Sequence, residues 1–221
     1  MNPNQDYGSQ RSFYSLFYKK ILFGNGLGAS AVARTHRSME QPHKNKFYSQ
    51  VLEVGCGQGE HFDFVQHGYD HYYMTDLVLP EVNKKNEKVS ISTENIENLS
   101  FSDGRFNRII VTCLLHHLSN PEKALSEVNR VLDKNGCATI FLSCDPGIVV
   151  RLIRAVTTKR HSKKLGFKGY DLLVAREHRN HISSLLEMAK YEFKERQLKI
   201  TFYPFRIPSW NMNGYVILHI K

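Results

Sequence analysis

The sequence lacks the features that mark several common protein classes. Its four cysteines, Cys56, Cys113, Cys137 and Cys144, form no C-x-x-C pair, and three of them lie in apolar runs. A zinc site is therefore not expected, and the thiols read as free and buried in a reducing compartment. No stretch approaches the roughly 18 consecutive apolar residues needed to span a bilayer. The opening MNPNQDYGSQ has no apolar core of a signal peptide, which points to a soluble, cytoplasmic protein. There is no internal repeat and no low-complexity tract. Acid is scarce: 21 Asp and Glu against 30 Lys and Arg leave a formal charge of +9, with eleven histidines able to add to it. Such a balance favours an anionic partner, although scattered lysines equally describe a solvated surface.

Against these absences stand 221 residues, 41% of them hydrophobic, enough for one globular domain with a small lid. Residues 11–28, RSFYSLFYKKILFGNGLG, place Phe13, Leu16, Phe17, Tyr18, Ile21 and Leu22 at near-helical spacing before glycines stop the helix. A second helix is expected over 29–40. Strands follow at 51–54, 70–75, 88–92, 107–112 and 137–143, with helices near 60–66 and at 121–132. This alternation indicates an α/β fold, a parallel sheet wound on both faces. Beyond Cys144 a long basic segment precedes a helix near 180–190, an alternating strand within 194–203, a Pro-rich turn and a last strand, YVILHI. Connections of that length are usually lids or binding surfaces.

Residues 51–61, VLEVGCGQGEH, run an apolar strand into Gly55, Gly57 and Gly59. Glycines between a strand and the next segment let the backbone approach a ligand where a Cβ would collide. The dinucleotide pattern G-x-G-x-x-G fails at Glu60, and the phosphate loop fails for want of Lys and Ser/Thr after Gly59. A carboxylate, Glu53, two residues before the turn suits a positively charged ligand. Asp76, 21 residues beyond Gly55, ends the next strand, where it can accept ribose hydroxyls or, alternatively, cap a helix.

In these three blocks, VLEVGCGQG, YMTD and the run from Glu94 to Ser143, the chain resembles the class I S-adenosylmethionine-dependent methyltransferases of the type 11, small-molecule group. The resemblance covers about residues 48–144. It implies a doubly wound, seven-stranded, mostly parallel Rossmann-like sheet with an antiparallel last strand and a helical lid. Residues 1–47 would form the lid, and 48–221 the S-adenosyl-L-methionine-binding domain with an acceptor-binding insertion at about 145–182. It further implies that Glu53, Gly55, Cys56, Gly57 and Gly59 hold the methionine moiety, Asp76 the ribose and Leu77 the adenine. Asn95 stands where an aspartate is common, Ile96 follows it against the ring, and Thr112 and Cys113 line the transferable methyl.

Methyl transfer from a sulfonium mainly needs alignment and exclusion of water, with a base where the acceptor is a hydroxyl. His117, His36 and Tyr14 are the catalytic candidates, and His61, His178 and His181 are further possible bases. Arg34, Arg37, Tyr18, His178 and His181 are the acceptor-binding candidates. The spacing of His178 and His181 would put both on one helix face. The expected reaction is methylation of an anionic small molecule, at oxygen, in glycan or natural-product synthesis. The alternative is a lipid or quinone methyltransferase whose first helix lies on an anionic membrane. Nucleic acid ranks low, since neither an RNA-binding signature nor a base-methylating Asn-Pro-Pro-Tyr motif is present. No metal is expected.

Overall fold

The computed structural model describes residues 27–80, 82, 86–164, 166 and 169–221. Seven strands make one sheet: β1 (Phe47–Val54), β2 (Gly68–Asp76), β3 (Val89–Thr93), β4 (Phe106–Val111), β5 (Leu132–Ser143), β6 (Leu198–Tyr203) and β7 (Tyr215–Ile220). Their order is β3-β2-β1-β4-β5-β7-β6, with only β7 antiparallel to its neighbours. The order reverses between β1 and β4, so the crevice of the sheet opens at the C-terminal tips of those strands. Among the described residues six α-helices flank it: α1 (Leu27–Glu40), α2 (Pro121–Val131), α3 (Ile148–Val156), α4 (Thr158–Lys164), α5 (Tyr170–Glu177) and α6 (Ile182–Glu192).

The two sides of the sheet are built differently. On one, Leu52, Val54, Ile109, Val111, Ile140 and Leu142 meet the apolar stripes of α2 and α6. The α2 stripe is Ala124, Leu125, Val128 and Val131, as the spacing predicts. Asn120 starts that helix by accepting the Lys123 N–H at 3.0 Å, with Pro121 as its first residue. On the other side Val51, Tyr72, Met74, Ile110 and Ile217 pack with Met39 at the end of α1.

Three expectations need correction. The helix near 60–66 is absent: residues 58–61 turn, and only Phe62–Phe64 make a short 3-10 helix before Val65 goes extended. Eight residues between Gly59 and the start of β2 at Gly68 leave no room for a helix and its return. His178 and His181 do not share a helix face, because His178 ends α5 and His181 precedes α6 in extended conformation. β5 starts at Leu132 rather than 137, pairing with Phe106 before a bulge.

Candidate functional site

The glycine turn is tied to both flanking strands. The N–H groups of Gly55 and Cys56 donate to the Thr75 carbonyl at 2.8 and 3.0 Å, the Thr75 hydroxyl to the Glu53 carbonyl, and the Thr112 hydroxyl to the Gly55 carbonyl. Gly55, Gly57 and Gly59 have φ of +73°, +57° and +78°, a region that L side chains rarely adopt. At Gly59 a Cβ would also stand 2.7 Å from Met74 Cε. Asp76 is half-buried beside this turn: its Oδ2 accepts the Gly57 N–H at 2.9 Å and its Oδ1 the Leu77 N–H at 2.7 Å. No helix follows it among the described residues, so the capping alternative falls away. Each oxygen keeps a second lone pair for a ligand donor. Leu77, 63% exposed, presents an apolar surface next to it.

Glu53 and Asp76 lie on the same side of the sheet, since Tyr72, two pleats before Asp76 and four residues away, donates its hydroxyl to Glu53 Oε2 at 2.7 Å. Their depths differ. Glu53 is fully buried, and its Oε1 has no hydrogen-bond partner among the described residues. Burial raises its pKa, against the pull of His61 and the Tyr72 hydrogen bond. Cys56 is also buried and Ile96 points its side chain into the core, so both would meet a ligand through backbone groups. Asn95 is exposed, with Oδ1 accepting the Glu97 N–H. Cys113, at the tip of β4, holds a left-handed φ of 48°, an outlier for a residue with a side chain.

Below the turn lies a buried polar network that the sequence reading missed. Glu40 accepts from Arg108 at 3.0 Å and from His61 Nε2–H at 3.1 Å, all fully or almost fully buried. His61 therefore carries its proton on Nε2, and its Nδ1 accepts from His36 Nδ1–H at 2.9 Å. His67 stands 3.6 Å from Glu40, too far for a hydrogen bond. Burial alone would raise the Glu40 pKa, but the His61 hydrogen bond and the Arg108 charge hold it well below the usual carboxylate range. Burial pushes His36 down to about 3, with the His61 charge adding to it. His36 is thus a neutral member of this network, stacked on Phe64 at 5.0 Å. Arg37 is exposed, its guanidinium 5.7 Å from the same ring, and Arg34 is exposed on α1. Tyr14 and Tyr18 lie outside the described residues.

A second cluster forms at the tips of β4 and β5. His178 Nδ1 lies 2.7 Å from Asp145 Oδ2, and Arg154 reaches the same oxygen at 2.5 Å. Arg154 also comes within 3.3 Å of His178 Nδ1. Two lone pairs cannot face each other at 2.7 Å, so Nδ1 carries the proton and donates to Asp145, and Nε2 is the basic nitrogen. Burial disfavours the Asp145 charge, yet His178 and Arg154 hold its pKa down to about 2. The rings of His117 and His116 lie 5.0 and 5.6 Å from that of His178. His117 Nδ1–H donates to the Glu177 carbonyl at 2.8 Å, and burial lowers its pKa to about 4. His116 Nε2–H donates to the Ser143 carbonyl at 2.9 Å, while its buried Nδ1 has no partner among the described residues. Asn180 binds the carbonyls of Leu115 and Leu118, fixing the 177–181 turn against the β4 tip. His181 is exposed, edge-on to Trp210 at 6.2 Å. The available signals were Asp145 directly after an apolar strand and Arg154 in the basic segment.

Among the described residues there is no cluster able to hold a metal ion, and no helix is long and apolar enough to cross a membrane.

Residues 52–140, from β1 through most of β5, match the model of the type 11 methyltransferase domain. No curated protein matches the chain in sequence. Among solved structures, an S-adenosylmethionine-dependent methyltransferase assigned from Listeria monocytogenes is 15% identical, covers 89% of this chain and 98% of its own, and has a TM-score of 0.60. The 1,6-didemethyltoxoflavin-N1-methyltransferase of Burkholderia thailandensis, which binds its acceptor and S-adenosylhomocysteine, is 16% identical over 100% of this chain and 90% of its own, with a TM-score of 0.58. The [4+2]-cyclase SpnF is 13% identical over 89% of this chain and 83% of its own, with a TM-score of 0.59. At such identities the structures share the fold, and SpnF shows that the fold also carries other chemistry. Across the glycine turn and both strand tips, residues 52–140 thus match a methyltransferase domain, set in the fold that solved S-adenosylmethionine-dependent methyltransferases share.

Proposed function

We propose that the enzyme methylates a hydroxyl of a small-molecule acceptor, with His178 as the base that removes the hydroxyl proton. The carrying observation is the Asp145–His178 pair at 2.7 Å, a base held in one tautomer by a buried carboxylate. When bound, S-adenosyl-L-methionine supplies the methyl group on a sulfonium. The residues fit it: Asp76 beside Gly57 has lone pairs for ribose hydroxyls, Leu77 an apolar surface for adenine, and the unpartnered Glu53 Oε1 favours a cation. Because Glu53 is sealed, direct contact would require the 56–61 turn to shift; otherwise it acts through its field. Gly55, Gly59, Cys56 and Ile96 offer backbone groups, Asn95 its amide, and Thr112 and Cys113 the wall toward the acceptor.

The hydroxyl sits against His178 Nε2, which takes the proton as oxygen attacks. Asp145 is a positioning residue that stabilises the resulting imidazolium, and Arg154 orients Asp145 in turn. His117 lines the same space as a neutral hydrogen-bond acceptor through Nε2. An anionic acceptor is supported by Arg34 and Arg37, both exposed on α1, and by the basic 148–164 segment. The test measures S-adenosylhomocysteine release with hydroxylated acid and phosphate acceptors. His178→Gln should lower kcat by roughly 10²–10⁴ with KM little changed. Unaltered kcat in that variant overturns the assignment. The second reading, a lipid or quinone acceptor, is favoured by one observation: the apolar side chains that α3 exposes next to this cluster.

A further inference from the structure

Helix α3 has two unlike faces. Inward it buries Val150 and sends Arg154 to Asp145. Outward it carries Ile148, Leu152 and Val156, spaced four apart and exposed by 58%, 63% and 68%, with Ala155 and Arg151 beside them. α3 packs against Trp210–Met212 of the β6–β7 connection, where Phe205, Ile207 and Met212 are exposed as well. The apolar surface therefore continues from the helix onto that connection.

Its charge has one sign. Between Asp145 and Asp171 there is no acidic residue, while Arg151, Arg154, Lys159, Arg160, Lys163, Lys164 and Lys168 all fall there; no acid follows Glu195 either. Arg154 pairs with Asp145 and Lys159 with Asp171. Among the described residues Arg151, Arg160, Lys163 and Lys164 have no acidic partner.

We propose that this face docks the enzyme on an anionic bilayer, the outer side chains of α3 entering the headgroup–acyl boundary and the α4 cations lying at the level of the lipid phosphates. Aliphatic side chains exposed in a row with unpaired cations at their flank match an interface that is hydrocarbon below and anionic above. A nucleic acid would account for the cations but leave Ile148, Leu152 and Val156 in water, and a second copy of this cationic face would repel the first. Docking would set the β4–β5 crevice beside the lipid, because the helix that meets the membrane also holds Asp145. The proposal concerns the surface alone and stands whichever acceptor is used.

The test is co-sedimentation of the full chain with vesicles of pure phosphatidylcholine and of phosphatidylcholine containing 30 mol% phosphatidylglycerol. Binding to the anionic vesicles should be at least tenfold tighter and should weaken about tenfold in 0.5 M salt. Leu152→Glu/Val156→Glu, both on solvent-facing positions, should reduce it at least tenfold with an unchanged melting temperature, and Lys163→Glu/Lys164→Glu should reduce it severalfold. Equal binding to both vesicle types, no binding, or undiminished binding by the Leu152/Val156 variant, as when residues 1–26 do the work, overturns the proposal. So does a dimer in sedimentation equilibrium that the same variant dissociates, or RNA binding that it abolishes in the absence of vesicle binding.

Discussion

The two faces of the sheet solve the same burial problem with opposite materials. Under α2 and α6 the core is hydrocarbon, Leu52, Ile109, Leu125, Ile140 and Leu185 packed without a charge among them. Under α1 the apolar cluster around Met39, Val51, Tyr72 and Met74 shares the core with Glu40, Arg108, His36, His61 and His67, joined along the strands to His43, Thr139 and His219. The reason is the segment between β1 and β2: too short for a helix, it brings only Phe62 and Val65 onto that face, and hydrogen-bonded polar groups close the rest. The difference teaches that the part of the core directly beneath the glycine turn is the part that titrates.

The largest expected effect follows from that. Burial lowers His36 to about 3, His43 to about 2, and His67 and His219 to about 4. Below the unfolded value near 6.5 the unfolded chain binds protons that the folded one refuses, so stability rises with pH and falls on acidification. At pH 5 each such imidazole removes up to about 2 kcal/mol. Glu40, with its pKa depressed, acts in the same direction as its carboxylate protonates, while Glu53, with its pKa raised, acts weakly against it. Urea denaturation at pH 7.5 and 5 should show a loss of several kcal/mol; equal midpoints would break the contrast. Leu125→Ala, on the dry face, should cost about 2–5 kcal/mol by the same amount at both pH values.

Glu40→Ala should cost about 3–5 kcal/mol, because the Arg108 guanidinium is left buried without its partner. A loss below 1 kcal/mol in urea titration would mean that the network is ornamental to folding. Asp76→Ala should weaken S-adenosyl-L-methionine binding by about 1–3 kcal/mol in calorimetry, with folding intact, and unchanged affinity would refute its ribose role. Smallest in stability is Glu53→Gln, which removes a buried charge: the melting temperature should stay level or rise while cofactor affinity drops. A variant that binds as well as wild type would leave Glu53 as a structural residue.

Much of this was readable before the structure. Strands at 51–54, 107–112 and 215–220 followed from runs of β-branched residues, α2 from its 3.6-residue stripe after Asn120-Pro121, and the turn from three glycines and two carboxylates. What escaped detection depended on partners far apart in the chain. Arg108 inside the apolar strand FNRIIV was the visible sign of a buried ion pair, but nothing local identifies Glu40, 68 residues earlier, as its partner. Likewise His178 was noticed as one of a basic cluster, whereas its meaning comes from Asp145, 33 residues away across the crevice. The absent helix after Gly59 was misread because the glycine pattern usually precedes one.

The ion pair between Glu40 and Arg108 also decides where the protein can be trimmed. A truncation starting at residue 47 would carry every strand and the whole matched domain, yet would strand a guanidinium in the middle of the sheet with no counter-ion. Shortened versions for crystallisation or engineering should therefore retain the chain from at least the last two turns of α1, however dispensable the residues before it prove to be.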